Sequence, residues 1–341
     1  MALAGSPRQT GVANLGLIVV GILGMAPLSL ELRLSHPTHG VVDTVNEIGG
    51  PYFGLVMAYS TEERALQNSG FFAPSSEIPW VDLAGRRFHI GKVRGMDVIY
   101  VMTGEQILNA GITVQILLNN FDIRGIVHYG TAGSANNSLS LGDVTVPNYV
   151  AFTSSWKWQE FKEERGQLQE LKFGAFNFPV IGENLLAKVA FTPTQLLSEG
   201  NVKKEIFWIP VDSTWFNIAA QLQDLDLQQC INETYCLSET PKVVYGLRAS
   251  TADIFLKNAA YREFLFKELG VSTVDEESAA IVMTSLTNGA PSIVFRGISD
   301  MAGGGGKLSD TSTSYLASLN ALSVAIKFME LIGKAYKPQD H

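Results

Sequence analysis

Continuous apolar runs, each ended by turn-forming residues, recur along this 341-residue chain. The runs Phe53–Ala58, Gly125–Tyr129 and Ser292–Ile298 show no alternation with polar residues, which is typical of strands buried on both faces. Two longer segments, Gln106–Asn120 and Ser314–Tyr336, have apolar residues at helical spacing instead. Strands that alternate with helices in this way predict an α/β protein.

Residues 1–30 carry a targeting pattern. Arg8 precedes an uncharged run, Gln9–Leu30, which matches the positive and apolar regions of a signal peptide. The run approaches the length that spans a bilayer and no small-x-small cleavage site follows, so a signal anchor is the alternative and a buried N-terminal helix is a third. We therefore expect a signal peptide or signal anchor at 1–30, and an extended lead-in at 31–47.

Two further features agree with entry into the secretory pathway. Asn136 and Asn232 each begin an Asn-x-Ser/Thr glycosylation sequon. The two cysteines, Cys230 and Cys236, could close a small loop as a disulfide, although a pair of core thiols would give the same count. Together with the leader, these features predict a lumenal, vacuolar or extracellular protein.

Composition narrows the classes of function. Hydrophobic residues make up 46% of the chain and the mean hydropathy is +0.13, which is ample for a buried core. The formal net charge of −8, with no basic cluster to offset it, argues against nucleic acid as a partner. The five histidines are scattered, so we expect no metal site. No repeat or low-complexity linker marks a second domain.

Carboxylates follow the predicted strands. Asp275–Glu277 precede an apolar helical run, Asp300 ends the strand Ser292–Ile298, and Glu62 follows Phe53–Ala58. In open α/β sheets ligands bind outside the carboxyl ends of strands, so Glu277, Asp300 and Glu62 are candidates for the functional site. The alternative is structural: Glu62 and Asp275–Glu277 would favour the first turns of helices, and Asp300 would cap a loop.

A glycine-rich turn ends the strand Gly125–Tyr129. It reads Gly130-Thr131-Ala132-Gly133 and would bring backbone N–H groups and a hydroxyl close to a sugar or an anion. As a bare pattern it is weak, because an ordinary tight turn has the same composition.

Taken in order, the motifs resemble the purine nucleoside phosphorylase and methylthioadenosine nucleosidase superfamily. The resemblance runs from about Tyr52 to Lys334 and rests on three motifs: Gly54–Ala58 with Glu62, the turn Gly130–Gly133, and the pair Glu277 and Asp300 in Glu-Glu-Ser-Ala-Ala-Ile and Arg-Gly-Ile-Ser-Asp. The stretch Thr103–Gly111 and a tryptophan-bearing insert look like the plant branch, which includes bark and vegetative storage proteins.

The resemblance implies one phosphorylase-like domain at 48–336, with the insert at about 151–240. Its fold would be a three-layer α/β arrangement in which helices surround a central mixed, barrel-like sheet. The family forms oligomers, so a homo-oligomer is expected.

The resemblance also implies catalytic roles. Asp300 would protonate the purine at N7 as a general acid, and burial would raise its pKa toward that task. Glu277 would hold the ribose hydroxyls and support the cationic sugar. Glu62 would orient and deprotonate the water of a nucleosidase.

Other matched residues would bind the substrate. Thr131, with Gly130, would lie at the phosphate or nucleophile site. Phe255 would stack on the base, and the backbone of Leu256 would hydrogen-bond to it. No cofactor is implied, and inorganic phosphate is an optional co-substrate.

Two departures bear on the reaction. His128 stands where phosphorylases place an arginine that pairs with phosphate, and histidine is cationic only at acidic pH. This favours hydrolysis, or phosphate binding at His128 and Thr131 in an acidic compartment. Glu276 stands where nucleosidases carry a methionine beside the ribose, which leaves methylthioadenosine, adenosine and cytokinin ribosides as alternative substrates.

Two functions therefore stay open. The first is cleavage of the N-glycosidic bond of a small purine-type nucleoside. The second is a vegetative or bark nitrogen-storage glycoprotein that keeps the fold with little or no catalysis. Neither involves nucleic acid, or a membrane beyond the leader.

Overall fold

The computed structural model describes residues 37–159, 188–197, 203–303 and 311–335. The leader predicted at 1–30, residues 31–36 of the predicted lead-in and much of the predicted insert lie outside these ranges. The described helices are α1 (Pro37–Ile48), α2 (Ser60–Ser69), α3 (Ile107–Asn120), α4 (Ser213–Ala219), α5 (Ala259–Leu269), α6 (Ser278–Thr287) and α7 (Thr311–Ala335). The described strands are β1 (Tyr52–Met57), β2 (Phe72–Pro74), β3 (Trp80–Leu83), β4 (Arg86–Val93), β5 (Met96–Met102), β6 (Ile123–Ser134), β7 (Val144–Phe152), β8 (Trp156–Gln159), β9 (Lys188–Phe191), β10 (Thr194–Leu197), β11 (Lys203–Ile206), β12 (Ile209–Pro210), β13 (Cys230–Asn232), β14 (Tyr235–Cys236), β15 (Val243–Thr251), β16 (Val271–Asp275) and β17 (Ser292–Met301).

Eleven of the described strands form one mixed sheet, part of which closes into a ring. β1 lies between β5 and β6 and is parallel to both. β6, β17, β7, β15 and β16 pair in a cycle, with parallel and antiparallel neighbours. The expected single α/β domain with a central mixed, barrel-like sheet surrounded by helices is confirmed.

Alternate residues of the central strands face two different helical layers. In β1, Leu55 and Met57 pack in the cluster that contains α2 and α7, whereas Val56 packs in the cluster that contains α3 and α6. In β6, Val127 and Ile126 divide in the same way. Because helices cover both faces, the strands are apolar throughout, as their sequence pattern predicted.

The C-terminal helix α7 packs directly on β17. Gly297 allows the close approach, since a Cβ at this position would overlap the backbone of Ala317. Among the described helices, α7 is the one long and apolar enough to cross a membrane by length and composition, but 67% of its most apolar window is buried inside the protein. Its apolar residues thus supply core contacts.

The predicted lead-in differs from the structure. Where 31–47 was expected to be extended, Pro37–Ile48 form helix α1. Its Val42 and Val45, three residues apart, are buried together, and the carbonyl of Val45 accepts a hydrogen bond from the hydroxyl of Tyr52 at 2.8 Å. Proline at the start of a helix costs no hydrogen bond, so Pro37 is compatible with this N-terminus.

The insert is partly built into the core. Trp215 on α4 is 2% exposed, with its ring centroid 6.1 Å from that of Phe53 and 5.3 Å from that of Phe328. Strand β12 also extends the main sheet by pairing with β7. Part of the predicted insert is therefore a structural element of the domain.

The two cysteines and the two sequons have distinct settings. Cys230 and Cys236 are joined by a disulfide that closes the β13–β14 hairpin. Asn232 lies exposed in this hairpin, and its side-chain oxygen accepts hydrogen bonds from the Thr234 amide and hydroxyl. Asn136 is half-buried, and its amide donates to the hydroxyl of Ser272 at 3.5 Å. Glycosylation stays a prediction, and Asn232 offers the more accessible site.

Trp215→Ala should destabilise the protein by about 3–5 kcal/mol, because it removes a large aromatic side chain from the core and leaves a cavity. Urea unfolding would measure the loss. Trp80→Ala is the matched control: Trp80 is 49% exposed, so its loss should cost less than about 1 kcal/mol. Equal costs for the two variants would show that the insert does not contribute to the core.

Candidate active site

A cavity of 380 Å³ opens at the carboxyl ends of β1, β16 and β17 and beside the last residues of β6. Its size suits a small organic ligand. It is lined by Ala58, Tyr59, Thr61, Glu62, Glu105, Thr131, Ala132, Gly133, Ile254, Phe255, Leu256, Val274, Asp275, Glu276, Glu277, Ser299, Asp300, Ala302, Thr311 and Ser314.

A second cavity, of 460 Å³, lies between the start of α4 and the turn that precedes β17. Asp212 is the one ionisable residue among its described lining residues, and its carboxylate already accepts the Trp215 amide as the N-cap of α4. The smaller cavity, which collects the predicted acids, is therefore the candidate active site.

Glu62 serves as both a cap and a cavity residue. Its Oε2 accepts the amides of Ala58 and Tyr59 at 2.9 and 3.0 Å, which stabilises the start of α2. Its Oε1 accepts the Thr131 amide at 2.7 Å and the Thr131 hydroxyl at 3.2 Å. Glu62 therefore stabilises the start of a helix, as the structural alternative proposed, and it also lies at the candidate site.

A buried arginine that the sequence reasoning gave no role lies behind these residues. Arg296, on β17, is 1% exposed. Its guanidinium faces three carboxylates: Nη2 lies 2.8 Å from Glu277 Oε2, Nε lies 3.4 Å from Asp275 Oδ2, and Nη1 lies 3.9 Å from Glu62 Oε1. Nε also donates to the Ser278 hydroxyl at 3.1 Å, and Nη1 donates to the Thr131 carbonyl at 3.1 Å.

The two carboxyls of the β16–α6 junction respond differently to burial. Burial raises the pKa of Glu277 to about 7, against the lowering effect of Arg296 and with further raising by Asp275 and Glu62. For Asp275 the pKa is lowered: burial opposes this, but Arg296 and hydrogen bonds from Ser278 and Thr251 outweigh burial. Three carboxylates thus share one cation, and Glu277 is the carboxyl that holds a proton near neutral pH.

Glu277 is also approached by the start of α3. The Gln106 amide faces Glu277 Oε1 at 3.4 Å, and Gln106 has a positive φ of 83°. Residues other than glycine rarely adopt such backbone angles, because the conformation costs about 1–3 kcal/mol. Residues strained in this way cluster at functional sites. The nearby helix start therefore adds a donor for Glu277 at an energetic cost.

Asp300 lines the same cavity, near the end of β17. Burial raises its pKa, and a hydrogen bond from the Ser299 hydroxyl, at 2.9 Å, opposes the rise. A carboxyl that is protonated more readily than usual, and that lines a cavity, can donate a proton to a ligand.

The glycine turn brings the two halves of the site together. A Cβ at Gly130 would overlap Arg296 Nη1 and would lie 2.5 Å from Glu62 Oε1. Only a residue without a side chain allows the arginine and the glutamate to meet across β6. The turn was expected to bring its backbone close to a ligand. At Gly130 the backbone instead lies close to Arg296 and Glu62.

The anion site predicted at His128 does not fit the structure. The imidazole is fully buried and absent from the cavity wall, and its Nδ1 lies 2.9 Å from the Val56 carbonyl. Burial, with the nearby Arg296, lowers the pKa of His128 to about 3. His128 therefore stays neutral even at mildly acidic pH. The prediction of an anion site failed because the side chain is buried in the protein interior and does not reach the cavity.

The remaining predicted residues line the mouth of the cavity. Phe255 is 69% exposed and stands beside Leu256, so its ring face is available to a ligand. Burial raises the pKa of Glu276, and the nearby carboxylates of Glu105 and Asp253 raise it further.

Comparison with known proteins identifies the family. The profile described as "Phosphorylase superfamily" matches residues 52–330, most of the chain.

The chain belongs to the phosphorylase superfamily.

Its relatives within the phosphorylase superfamily include both storage proteins and enzymes. Bark storage protein A of Populus deltoides is 40% identical over 310 residues, covering 90% of this chain and 97% of the relative. A 5'-methylthioadenosine/S-adenosylhomocysteine nucleosidase of Treponema pallidum is 25% identical over 232 residues, covering 68% of this chain and 76% of the relative. The crystal structure of such a nucleosidase from Colwellia psychrerythraea, in complex with adenine, has a TM-score of 0.57 at 19% identity and covers 82% of this chain and 95% of that chain.

The structure brings Glu62, Thr131, Glu276, Glu277 and Asp300 to one cavity, and their catalytic and binding roles stay predictions. The contributions of two other residues were missed. Arg296 was visible as a lone charge within an apolar strand, and Asp275 was interpreted only as a helix-start acid. A charge in a strand that is buried on both faces needs a partner, and that requirement was the available signal.

Gly130→Ala should destabilise the protein by about 1–3 kcal/mol, because the added methyl group forces Arg296 and Glu62 apart. Gly40→Ala is the matched control, since a Cβ at Gly40 on α1 meets no atom within 4 Å. That variant should be neutral or slightly stabilising, as alanine favours helix. Urea unfolding of both variants would measure the difference, and equal stabilities would contradict the packing described for Gly130.

Glu277→Gln should change how stability depends on pH. The pKa of Glu277 in the folded protein, about 7, exceeds its ordinary value of 4.5, so its stabilising contribution is complete below pH 4.5 and is lost as pH rises through 7. The variant lacks this loss, so its stability relative to wild type should rise by on the order of 2–3 kcal/mol from about pH 4.5 to about pH 8. Thermal or urea unfolding across that range checks it, and a pH-independent difference would contradict the assignment.

Proposed function

We propose that this protein hydrolyses the N-glycosidic bond of purine-type nucleosides. The observation that carries the proposal is the meeting of Glu62, Glu277 and Asp300 in one cavity, with Arg296 buried behind the first two. Membership of a superfamily that includes nucleosidases supports this class of reaction.

Departure of the base would depend on Asp300. Cleavage of the bond between the sugar and the base leaves negative charge on the purine, and a proton from Asp300 to N7 neutralises it. The raised pKa of Asp300 supports this role, because the carboxyl then holds its proton closer to neutral pH. Phe255 offers an exposed ring on which the purine could stack.

The sugar would be held by Glu277. As the bond breaks, positive charge develops on the ribose, and the carboxylates of the cavity stabilise that charge. Arg296 fixes the Glu277 carboxylate at 2.8 Å from the other side, so little reorganisation is needed when the charge appears.

Glu62 and Thr131 would bind the attacking water. All of the acceptor positions of the Glu62 carboxylate are used by four hydrogen bonds, of which the one from the Thr131 hydroxyl, at 3.2 Å, is the longest. Rotation of this hydroxyl frees Oε1 for a water molecule. The water adds to the sugar carbon and gives its proton to Glu62.

Charge favours water over phosphate as the attacking group. Of the described residues that line the cavity, none is basic, whereas six carry carboxyl groups. Arg296 is occupied by its carboxylate and carbonyl partners, and His128 is neutral. Among the described residues a phosphate anion would therefore find no countercharge, and its desolvation would be costly.

Storage is the second candidate function, and a specific observation favours it. The 40% identity with bark storage protein A of Populus deltoides extends over 90% of this chain. A nitrogen-storage glycoprotein, secreted or vacuolar, would keep the fold and the buried ion cluster with little or no turnover. The two functions are compatible in one protein, and homo-oligomerisation is proposed for either.

Release of free base is the direct test. The purified protein would be incubated with adenosine, inosine, methylthioadenosine and a cytokinin riboside, at about pH 5.5 and about pH 7.5, with and without phosphate. We expect release without phosphate, and a loss of roughly 100-fold or more in Asp300→Asn and Glu277→Gln, because each removes a group that acts in the transition state.

Asp82→Asn is the matched control, since Asp82 is exposed and paired with Arg87 far from the proposed chemistry. This variant should retain full activity. Strict dependence on phosphate would contradict hydrolysis. No release from any of these substrates by the folded wild type would favour storage.

A further inference from the structure

Asp275 is a buried carboxylate to which the proposed reaction assigns no step. Its side chain is 1% exposed. One oxygen, Oδ1, accepts three hydrogen bonds: from the Thr251 hydroxyl at 2.7 Å, the Ser278 amide at 2.9 Å and the Glu277 amide at 3.0 Å. The other oxygen, Oδ2, faces Arg296 Nε at 3.4 Å. A single side chain therefore links β15, β16, α6 and β17.

These contacts hold Glu277 from both ends. Oδ1 of Asp275 fixes the backbone from which the Glu277 side chain projects, because it binds the Glu277 amide. Oδ2 fixes the guanidinium that binds the Glu277 carboxylate at its far end. Thr251 braces the arrangement, since its hydroxyl donates to Asp275 and accepts from the Ala279 amide at 2.9 Å.

Asp275 also sets the charge of the cluster. The charged groups that face Glu277 are Arg296 on β17, Asp275 on β16 and Glu62 on α2. With all three carboxyls ionised, one arginine would face three negative charges on side chains that are at most 7% exposed. Asp275 is held as the carboxylate by its three hydrogen bonds and by Arg296. A proton that reduces the negative charge of the cluster is therefore bound by Glu277. His128, beside Arg296, is neutral and does not relieve the imbalance.

We propose that Asp275 is a positioning residue for Glu277: it accepts the backbone amide of Glu277, pairs with the guanidinium that binds the Glu277 carboxyl group, and places a negative charge beside that group. The consequence is that activity depends on the ionisation of Glu277 near neutral pH, because burial raises the pKa of Glu277 and the charge of Asp275 raises it further. For its effect on catalysis, this inference rests on the proposed function.

Asp275→Asn is the direct test, because asparagine keeps the size and the acceptor oxygen but removes the charge. We expect kcat/KM to fall at least about tenfold, with most of the loss in kcat, since Glu277 is no longer held for the transition state. The apparent pKa in the pH profile of kcat/KM should fall by about one pH unit, because the negative charge beside Glu277 has been removed. An unchanged profile with kcat/KM within about twofold of wild type would overturn the proposal.

Ser278→Ala separates charge from packing. It removes the neutral hydroxyl that accepts from the same Arg296 nitrogen and that also contacts Asp275, and it leaves every charged side chain in place. The apparent pKa should stay at the wild-type value in this variant. A shift as large as that of Asp275→Asn would show that packing, and not the charge of Asp275, sets the ionisation.

Infrared difference spectroscopy tests the same point without turnover. The band of a protonated carboxyl group, assigned by its loss in Glu277→Gln, should titrate near pH 7 in wild type and at lower pH in Asp275→Asn. If wild type releases no base but its band shifts as expected, the proposed function fails and the role of Asp275 stands. If the band titrates identically in both proteins, the role of Asp275 fails whatever the activity.

Thr251→Val covers the case in which Asp275→Asn does not fold. Valine keeps the shape of threonine and removes its hydrogen bond to Asp275 without changing any charge. We expect kcat to fall several-fold while the apparent pKa stays in place. Wild-type kinetics in this variant would contradict the positioning of Glu277 through Asp275.

Discussion

The rest of the site depends on one buried guanidinium. Arg296 is 1% exposed, and a lone charge at that depth would be prohibitively costly. Its partners come from separate parts of the chain: Glu62 from α2, Asp275 from the end of β16 and Glu277 from the start of α6. The ion cluster therefore requires the ring of strands to close, and the closed ring determines where the acids lie. The missing side chain at Gly130 leaves room for the cluster.

This arrangement separates two kinds of carboxyl in a single cavity. Asp275 is held as an anion by hydrogen bonds and by Arg296, whereas burial raises the pKa of Glu277 and of Asp300. Environments that shift the pKa values of neighbouring acids in opposite directions are characteristic of acid–base sites, although structural ion networks shift pKa values as well. The same cluster would stabilise a storage protein that has no catalytic role.

None of the described residues that line the cavity is basic, because the nearby cationic side chain is bound to other groups of the protein. A phosphate site needs a cation whose hydrogen-bond donors point toward the cavity. In this chain Arg296 points its donors at carboxylates and a carbonyl, and His128, in the middle of β6, is fully buried with its Nδ1 against the Val56 carbonyl. Attack by water requires no such countercharge. The preference proposed here for hydrolysis thus follows from where two side chains point.

The sequence alone determined the class of fold and the identity of most candidate acids. Apolar runs without alternation specified strands covered on both faces. Glu62 and Asp300 were recognisable because they follow such runs, and Glu277 because it precedes an apolar helical run. Local signals also misled. Residues 31–47 were expected to be extended, although Val42 and Val45, three residues apart, bury one face of helix α1. Only the tertiary structure decided the direction of each side chain. A strand with helices on both faces is apolar on both, so its sequence does not show which residues face which layer. That is why the burial of His128, the central place of Arg296 and the anchoring role of Asp275 could not be read from the chain.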